Sequence, residues 1–285
     1  MVCIDAYICH ESICEMTKYA LFKEGKIRYT DTGKGRVVVF LHGFLESKEM
    51  WRFYHTHLPK HIRSVCVDLP GHGKSDNFGY NHSMELMAES VRAVLKKEGI
   101  RKCIIVGHSM GGYAGIAFSE MYPDMMRGLI MYFSSASADT NERKANRNRA
   151  IKLVKQDHLS FIRNSIPMLF AEHNRSKYRK SIAKLVKRSS GMGSQSIIAA
   201  LEGMRDRDDR EIILKFAPFP VSYIIGDLDP VLPVKVLEKQ SKIPQNGETT
   251  ILINTGHMGF IENKKEAFLA VKKFVTKVYR TKSRV

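Results

Sequence analysis

Residues 102–122, KCIIVGHSMGGYAGIAFSEMY, limit what this chain can become more than any other stretch. The run 103–106 is short, apolar and β-branched, the composition of a strand covered on both faces of a parallel sheet. Gly107-His108-Ser109-Met110-Gly111 follows without a spacer, and glycines on either side of the serine permit a turn too tight for neighbouring Cβ atoms. Ser109 itself is then expected at φ > 0, a strained backbone of the kind that collects at functional sites. Residues 112–122 read as an apolar helix stopped by Pro123. Ser109 therefore stands at a helix N-terminus, where free N–H groups and the positive dipole end favour a developing negative charge.

Taken alone, the pentapeptide is moderately specific and also describes a plain strand-to-helix turn. It resembles the nucleophile elbow of the α/β-hydrolase superfamily. Other segments carry the same resemblance. Residues 37–41 read as a second buried strand ending in His42-Gly43-Phe44, the kind of segment that supplies an oxyanion-hole donor in that superfamily. The resemblance implies the backbone N–H groups of Phe44 and Met110 as the pair. Residues 62–67 form a further strand before Asp68-Leu69-Pro70-Gly71-His72-Gly73-Lys74-Ser75, a string similar to the superfamily's D-x-P-G-H-G-x-S loop. Its turn formers assign Asp68 and His72 a structural role.

The spacing predicts a hairpin over 19–31 and a helix from Ser47 to about His57, capped by Ser47 and carrying Trp51. It also predicts an amphipathic helix from Ser83 to Gly99 and strands over 129–133, 221–225 and 249–253. Residues 141–216 combine helical periodicity with many charges, and an insertion of this size between buried strands is similar to the helical cap of the superfamily. After residue 225 the string Gly226-Asp227-Leu228-Asp229-Pro230-Val231-Leu232-Pro233 has the G-x-x-D-x-x-x-P spacing of the superfamily's triad acid, which selects Asp229 over Asp227. His257 follows on a glycine-flanked loop, ahead of a last helix through Val278. The expected fold is α/β, a mostly parallel central sheet of the α/β-hydrolase type with a helical cap insertion. Its expected parts are a flexible leader over 1–17, the core over 18–138 and 217–285, and the cap over 139–216.

Ser109, Asp229 and His257 occur in the chain order of nucleophile, acid and base, each just past the carboxyl end of a predicted strand, where open α/β sheets bind ligands. The expected activity is serine hydrolysis of a carboxylic ester or similar acyl substrate through an acyl-enzyme. Hydrolysis of a C–C bond and a 2-succinyl-type elimination on the same triad are the alternatives, as is a ligand receptor of low turnover. His42 and His108 sit at motif positions that pack or line the pocket, so neither is given a proton-transfer role. Relatives with an aspartate nucleophile, the haloalkane dehalogenases and epoxide hydrolases, are disfavoured by Ser109.

Composition narrows the partners. The net charge is +17, from 46 basic and 29 acidic residues, which admits anionic substrates or surfaces. No nucleic-acid motif accompanies it, so nucleic acid is not an expected partner. No run approaches the roughly 18 apolar residues of a spanning helix, and stable membrane insertion is not expected. The N-terminus lacks a basic start and the five cysteines are odd in number, so the expected setting is the reducing cytoplasm. Cys3, Cys9, His10 and Cys14 crowd the start, but their spacing matches no zinc pattern, and neither metal nor cofactor is expected.

Overall fold

Strands buried on both faces and strands that alternate divide the sheet into a centre and two edges. The structure, a computed structural model, describes residues 17–280. The chain opens with β1 (Thr17–Phe22) and β2 (Gly25–Thr32), then β3 (Arg36–Leu41), α1 (Arg52–His57), β4 (Ile62–Val67) and α2 (Met84–Lys97). It continues with β5 (Cys103–His108), α3 (Met110–Met121) and β6 (Met126–Tyr132). Four helices intervene, α4 (Asn141–Ser165), α5 (Arg179–Ser189), α6 (Ser194–Arg205) and α7 (Glu211–Lys215). The chain closes with β7 (Val221–Gly226), α8 (Val234–Gln240), β8 (Gly247–Leu252), α9 (Gly259–Glu262) and α10 (Lys264–Arg280).

These strands make one sheet in the order β1-β2-β4-β3-β5-β6-β7-β8, antiparallel at its first two pairings and parallel at the rest. Every residue of β5 and β7 is buried, as parallel strands covered by helices on both faces must be. The edge strands β1 and β8 alternate between exposed and sheltered residues. Because β5, β7 and β8 run parallel, their carboxyl ends deliver Ser109, Asp229 and His257 to one rim of the sheet.

Several local expectations shift. The leader and the Cys3, Cys9, His10 and Cys14 group lie outside the described residues, except that Thr17 already pairs with Thr30 in β1. Ser47 occupies the N-cap position of a 3₁₀ turn, Lys48–Trp51, that leads into α1, but its side chain makes no capping bond and its hydroxyl is buried without a partner. The Met50 N–H, which a serine cap would bind, goes to the backbone oxygen of Ser47 at 3.1 Å, and the Lys48 N–H goes to the Asp68 carboxylate at 2.7 Å. Ser83 does cap α2, accepting from the Leu86 N–H at 3.2 Å. Helix α3 starts at Met110, two residues earlier than the periodicity indicated, and β6 starts at Met126 and ends before Phe133, which turns away at φ 48°.

Helix α4 is broken at Asp157, whose φ of −155° and ψ of 95° are extended. Its carboxylate accepts from the Ser160 N–H at 3.0 Å and the Ser160 hydroxyl at 2.5 Å, so Asp157 acts as the N-cap of the second half. Long-range bonds tie the insertion to the core. The Ser189 hydroxyl donates to Leu45 O at 2.7 Å, the His82 N–H to Ala199 O at 2.9 Å, and the His257 N–H to Leu169 O at 2.9 Å.

Candidate active site

Ser109 has φ 50° and ψ −115°, the positive φ that the glycine-flanked turn demanded of it. The turn is held on all sides. The Ser109 N–H bonds Tyr132 O at 3.0 Å, and Ser109 O accepts from the Ser134 hydroxyl at 2.7 Å and the Gly112 N–H at 2.8 Å. A Cβ on Gly107 would lie 2.3 Å from Gly111 O, and one on Gly111 would lie 2.4 Å from Leu41 O and 2.6 Å from His42 O. The first turn of α3 therefore rests on the backbone at the end of β3, which brings the neighbourhood of Phe44 beside Met110. Met110 is the first residue of its helix, so its N–H has no intrahelical acceptor.

The His42-Gly43-Phe44 segment is fixed by its own histidine. His42 Nε2 accepts from the Leu69 N–H at 2.9 Å, which leaves Nδ1 as the protonated nitrogen that donates to Gly43 O at 2.8 Å. The loop beyond β4 is held in turn by Asp68, which accepts from the backbone of Lys48 and Lys74 and pairs with Arg28 at 3.3 Å. Asp68 and His72 have structural surroundings, and His72 lies buried with its ring 5.1 Å from that of His42.

Asp229 and His257 meet. His257 Nδ1 lies 2.7 Å from Asp229 Oδ2, and both residues are buried. The other carboxylate oxygen, Oδ1, accepts from the N–H groups of Val231 at 2.7 Å and Leu232 at 3.0 Å. Asp227 has a different task, accepting from the Thr255 N–H at 3.0 Å and so joining the acid loop to the histidine loop. His257 also abuts the residue before Ser109: His108 Nε2 is 3.0 Å from His257 O, and the two rings are 5.1 Å apart. Among the described residues the Ser109 hydroxyl makes no hydrogen bond to His257. Such bonds are often long in free enzymes and tighten when substrate arrives.

Two residues that motif reading passed over position the histidine loop. Glu262 accepts from the N–H groups of Ala171 at 3.1 Å and Met258 at 3.3 Å, and from Asn174 Nδ2 at 2.9 Å. Asn174 also reaches Asn254 O at 2.9 Å, which ties the insertion to both flanks of His257. The only sequence signal was a charged residue five positions beyond the histidine, with no spacing rule to single it out.

Electrostatically, the surroundings favour neutral imidazoles. Burial pushes His42 down to about 4, His72 to about 3 and His82 to about 4, and holds His108 well below its usual value, because the interior cannot solvate an imidazolium. Unfolded, these rings take a proton near pH 6.5, whereas folded they do not until far lower. The unfolded chain thus binds more protons in between, and their stabilisation is complete above about pH 6.5 and lost as pH falls toward 4. Burial raises Glu46 to about 8 and also raises Asp68, and both act in the opposite direction, but they are two groups against four. Thermal unfolding followed against pH should show a flat midpoint only above about pH 8, where Glu46 has also ionised, and a steep fall between pH 6.5 and 4. A displacement as large as that of His42 is worth roughly 3 kcal/mol; a midpoint unchanged at pH 5 would contradict this assignment.

A cleft on the insertion, about 550 Å³, is lined by Leu153, Phe161 and Met168 among others, and the Phe161 ring lies 6.5 Å from that of Phe44. Among the described residues no group of three or more His, Cys, Asp or Glu side chains could hold a metal ion.

Comparison with known proteins identifies the family. The alpha/beta hydrolase fold family matches residues 36–264. The chain belongs to that family. The AB hydrolase superfamily protein YisY of Bacillus subtilis is 26% identical over 245 residues, 83% of this chain and 90% of that one. A thermophilic esterase from Thermogutta terrifontis, solved with malate bound, superposes with a TM-score of 0.85 at 27% identity, covering 93% of this chain and 98% of that one. A 2-hydroxy-6-oxononadienedioate/2-hydroxy-6-oxononatrienedioate hydrolase from Paraburkholderia phymatum is 33% identical over 125 residues, 40% of this chain and 43% of that one. Membership and these neighbours support hydrolytic activity for this alpha/beta hydrolase.

Proposed function

We propose that this alpha/beta hydrolase cleaves a carboxylic ester or similar acyl substrate through an acyl-enzyme on Ser109. The observation that carries the reading is the 2.7 Å His257–Asp229 bond, formed beside a serine held at φ 50° on a helix N-terminus. In this reading Ser109 Oγ attacks the substrate carbonyl while His257 Nε2 takes its proton, a general-base contribution of about 10² to 10⁴-fold. Asp229 keeps the imidazole proton on Nδ1 and stabilises the imidazolium. The oxyanion faces the N–H groups of Phe44 and Met110, each such donor being worth about 3 to 4 kcal/mol. His257 then protonates the leaving alkoxide, and a water activated by the same ring releases the acid. No cofactor or metal takes part, and the insertion, residues 139–216, serves as the cap over the site. The reading places the enzyme in the cytoplasm, supported by the buried free thiols of Cys66 and Cys103.

Short-chain nitrophenyl esters test this directly: the protein should turn them over with a burst of nitrophenol equal to the enzyme present. A second reading, hydrolysis of a C–C bond, draws support from the Paraburkholderia relative and from Arg143, whose Nη1 donates to Val231 O at 3.3 Å, two residues from Asp229. A vinylogous diketone acid hydrolysed faster than every simple ester would favour the second reading over the first.

A further inference from the structure

The net charge is concentrated in one part of the molecule. Residues 141–189 hold fourteen Lys and Arg against three Asp and Glu, a net +11 of the chain's +17. Little of it is neutralised. Arg143 and Arg147 pair with Asp139, and Arg163 lies 3.9 Å from Asp157. Lys152, Lys155, Lys180 and Lys184 are exposed and, among the described residues, make no ion pair. Lys180, Lys184 and Lys187 recur at the spacing of one helical face of α5, which packs against α4.

Apolar side chains stand in the same place. Leu153 is 54% exposed between Lys152 and Lys155, and Met168 is 56% exposed across the cleft that the broken α4 opens. The break at Asp157 separates the two halves of the helix, so Leu153 from the first half and Phe161 from the second line one groove with Met168. Apolar tips bordered by unpaired cations are what an interfacial surface needs: the cations are attracted by anionic headgroups and the apolar groups enter the boundary with the acyl chains. A nucleic acid would use the charge but give Leu153 and Met168 nothing to bury against, since Phe161, the aromatic ring that lines the groove with them, is half-buried and not laid open for a base to stack on. Among the described residues no helix is long and apolar enough to cross a membrane, so the contact would be peripheral.

We propose that the outer face of α4 and the turn Pro167–Leu169 beyond it, centred on Leu153, Met168, Lys152 and Lys155, dock this protein on an anionic lipid surface. The docking does not depend on the acyl-hydrolase reading, because vesicle binding is read without turnover. Cosedimentation with phosphatidylcholine vesicles containing phosphatidylglycerol should retain the protein, and phosphatidylcholine alone should not. Binding should fade as salt rises from about 0.1 M, where the screening length is about 10 Å, to about 1 M, where it is about 3 Å. The pair Lys152→Glu and Lys155→Glu should weaken binding at least about 25-fold, from about fivefold for each cation lost at such a surface. Leu153→Asp with Met168→Asp should also release the protein, while hydrolysis of a water-soluble ester stays unchanged in both variants, since these exposed side chains carry no part of the reaction. Failure to bind anionic vesicles at low salt would overturn the proposal. So would vesicle binding indifferent to all four substitutions, or retention of a DNA duplex at low salt without vesicle binding.

Discussion

Ser109→Ala lowers kcat on short acyl esters by about 10⁶-fold, the loss seen when the nucleophile of a serine triad is removed. The size follows from the covalent route: without Oγ there is no acyl-enzyme, and what remains is whatever the oxyanion donors and binding do for direct attack by water. The comparison is clean because alanine keeps the Cβ that serine already carries at φ 50°, so the strained turn is no worse for the change. The bonds that hold the elbow, from the Ser109 N–H to Tyr132 O and from the Ser134 hydroxyl to Ser109 O, use the Ser109 backbone and survive. Unchanged thermal stability together with lost turnover would separate a chemical role from a structural one. Turnover within tenfold of the wild type would remove Ser109 from the reaction.

Asp229→Asn is expected to cost about 10⁴-fold in kcat with little loss of structure. The carboxylate has two separable duties. Oδ1 caps the turn that follows it by accepting from Val231 and Leu232, and an asparagine Oδ1 can do the same. Oδ2 receives the His257 Nδ1 proton at 2.7 Å, and an amide NH₂ in that position would donate where it must accept. The ring would then take the other tautomer, with its proton on Nε2 facing Ser109, where it cannot serve as the base. The effect should fall on kcat and not on KM. Asp227→Asn should be far milder, because among the described residues the Asp227 carboxylate accepts from the Thr255 N–H alone and the amide oxygen can replace it. Equal losses in the two variants would contradict the choice between them.

Sequence and structure agree where short-range chemistry dictates geometry. Ser109 could be read as strained because its flanking Gly107 and Gly111 stand where a Cβ would come within 2.3 and 2.4 Å of backbone oxygens. The central strands were legible as unbroken apolar runs because both of their faces are covered. Less was legible where a side chain has several possible partners. Ser47 stands at an N-cap yet its side chain caps nothing, because its own backbone oxygen takes the Met50 N–H and Asp68, twenty residues away, takes that of Lys48. Asp157 looked like one charge among many in an amphipathic stretch, and only the bonds to Ser160 show it ending one helix and starting another. Glu262 and Asn174 hold the His257 loop through contacts with residues 80 or more positions away, which no local pattern encodes.

The central claim is that the Ser109 hydroxyl is made nucleophilic by its surroundings. A fluorophosphonate tests it without any knowledge of the substrate, because the reagent phosphonylates only a serine whose proton can be removed and whose oxyanion can be held. Mass spectrometry of the treated protein should show one adduct per chain, mapped to the peptide containing Ser109 and absent from Ser109→Ala and much slowed in His257→Ala. A folded protein that stays unmodified, or that carries the adduct on another serine, would contradict it.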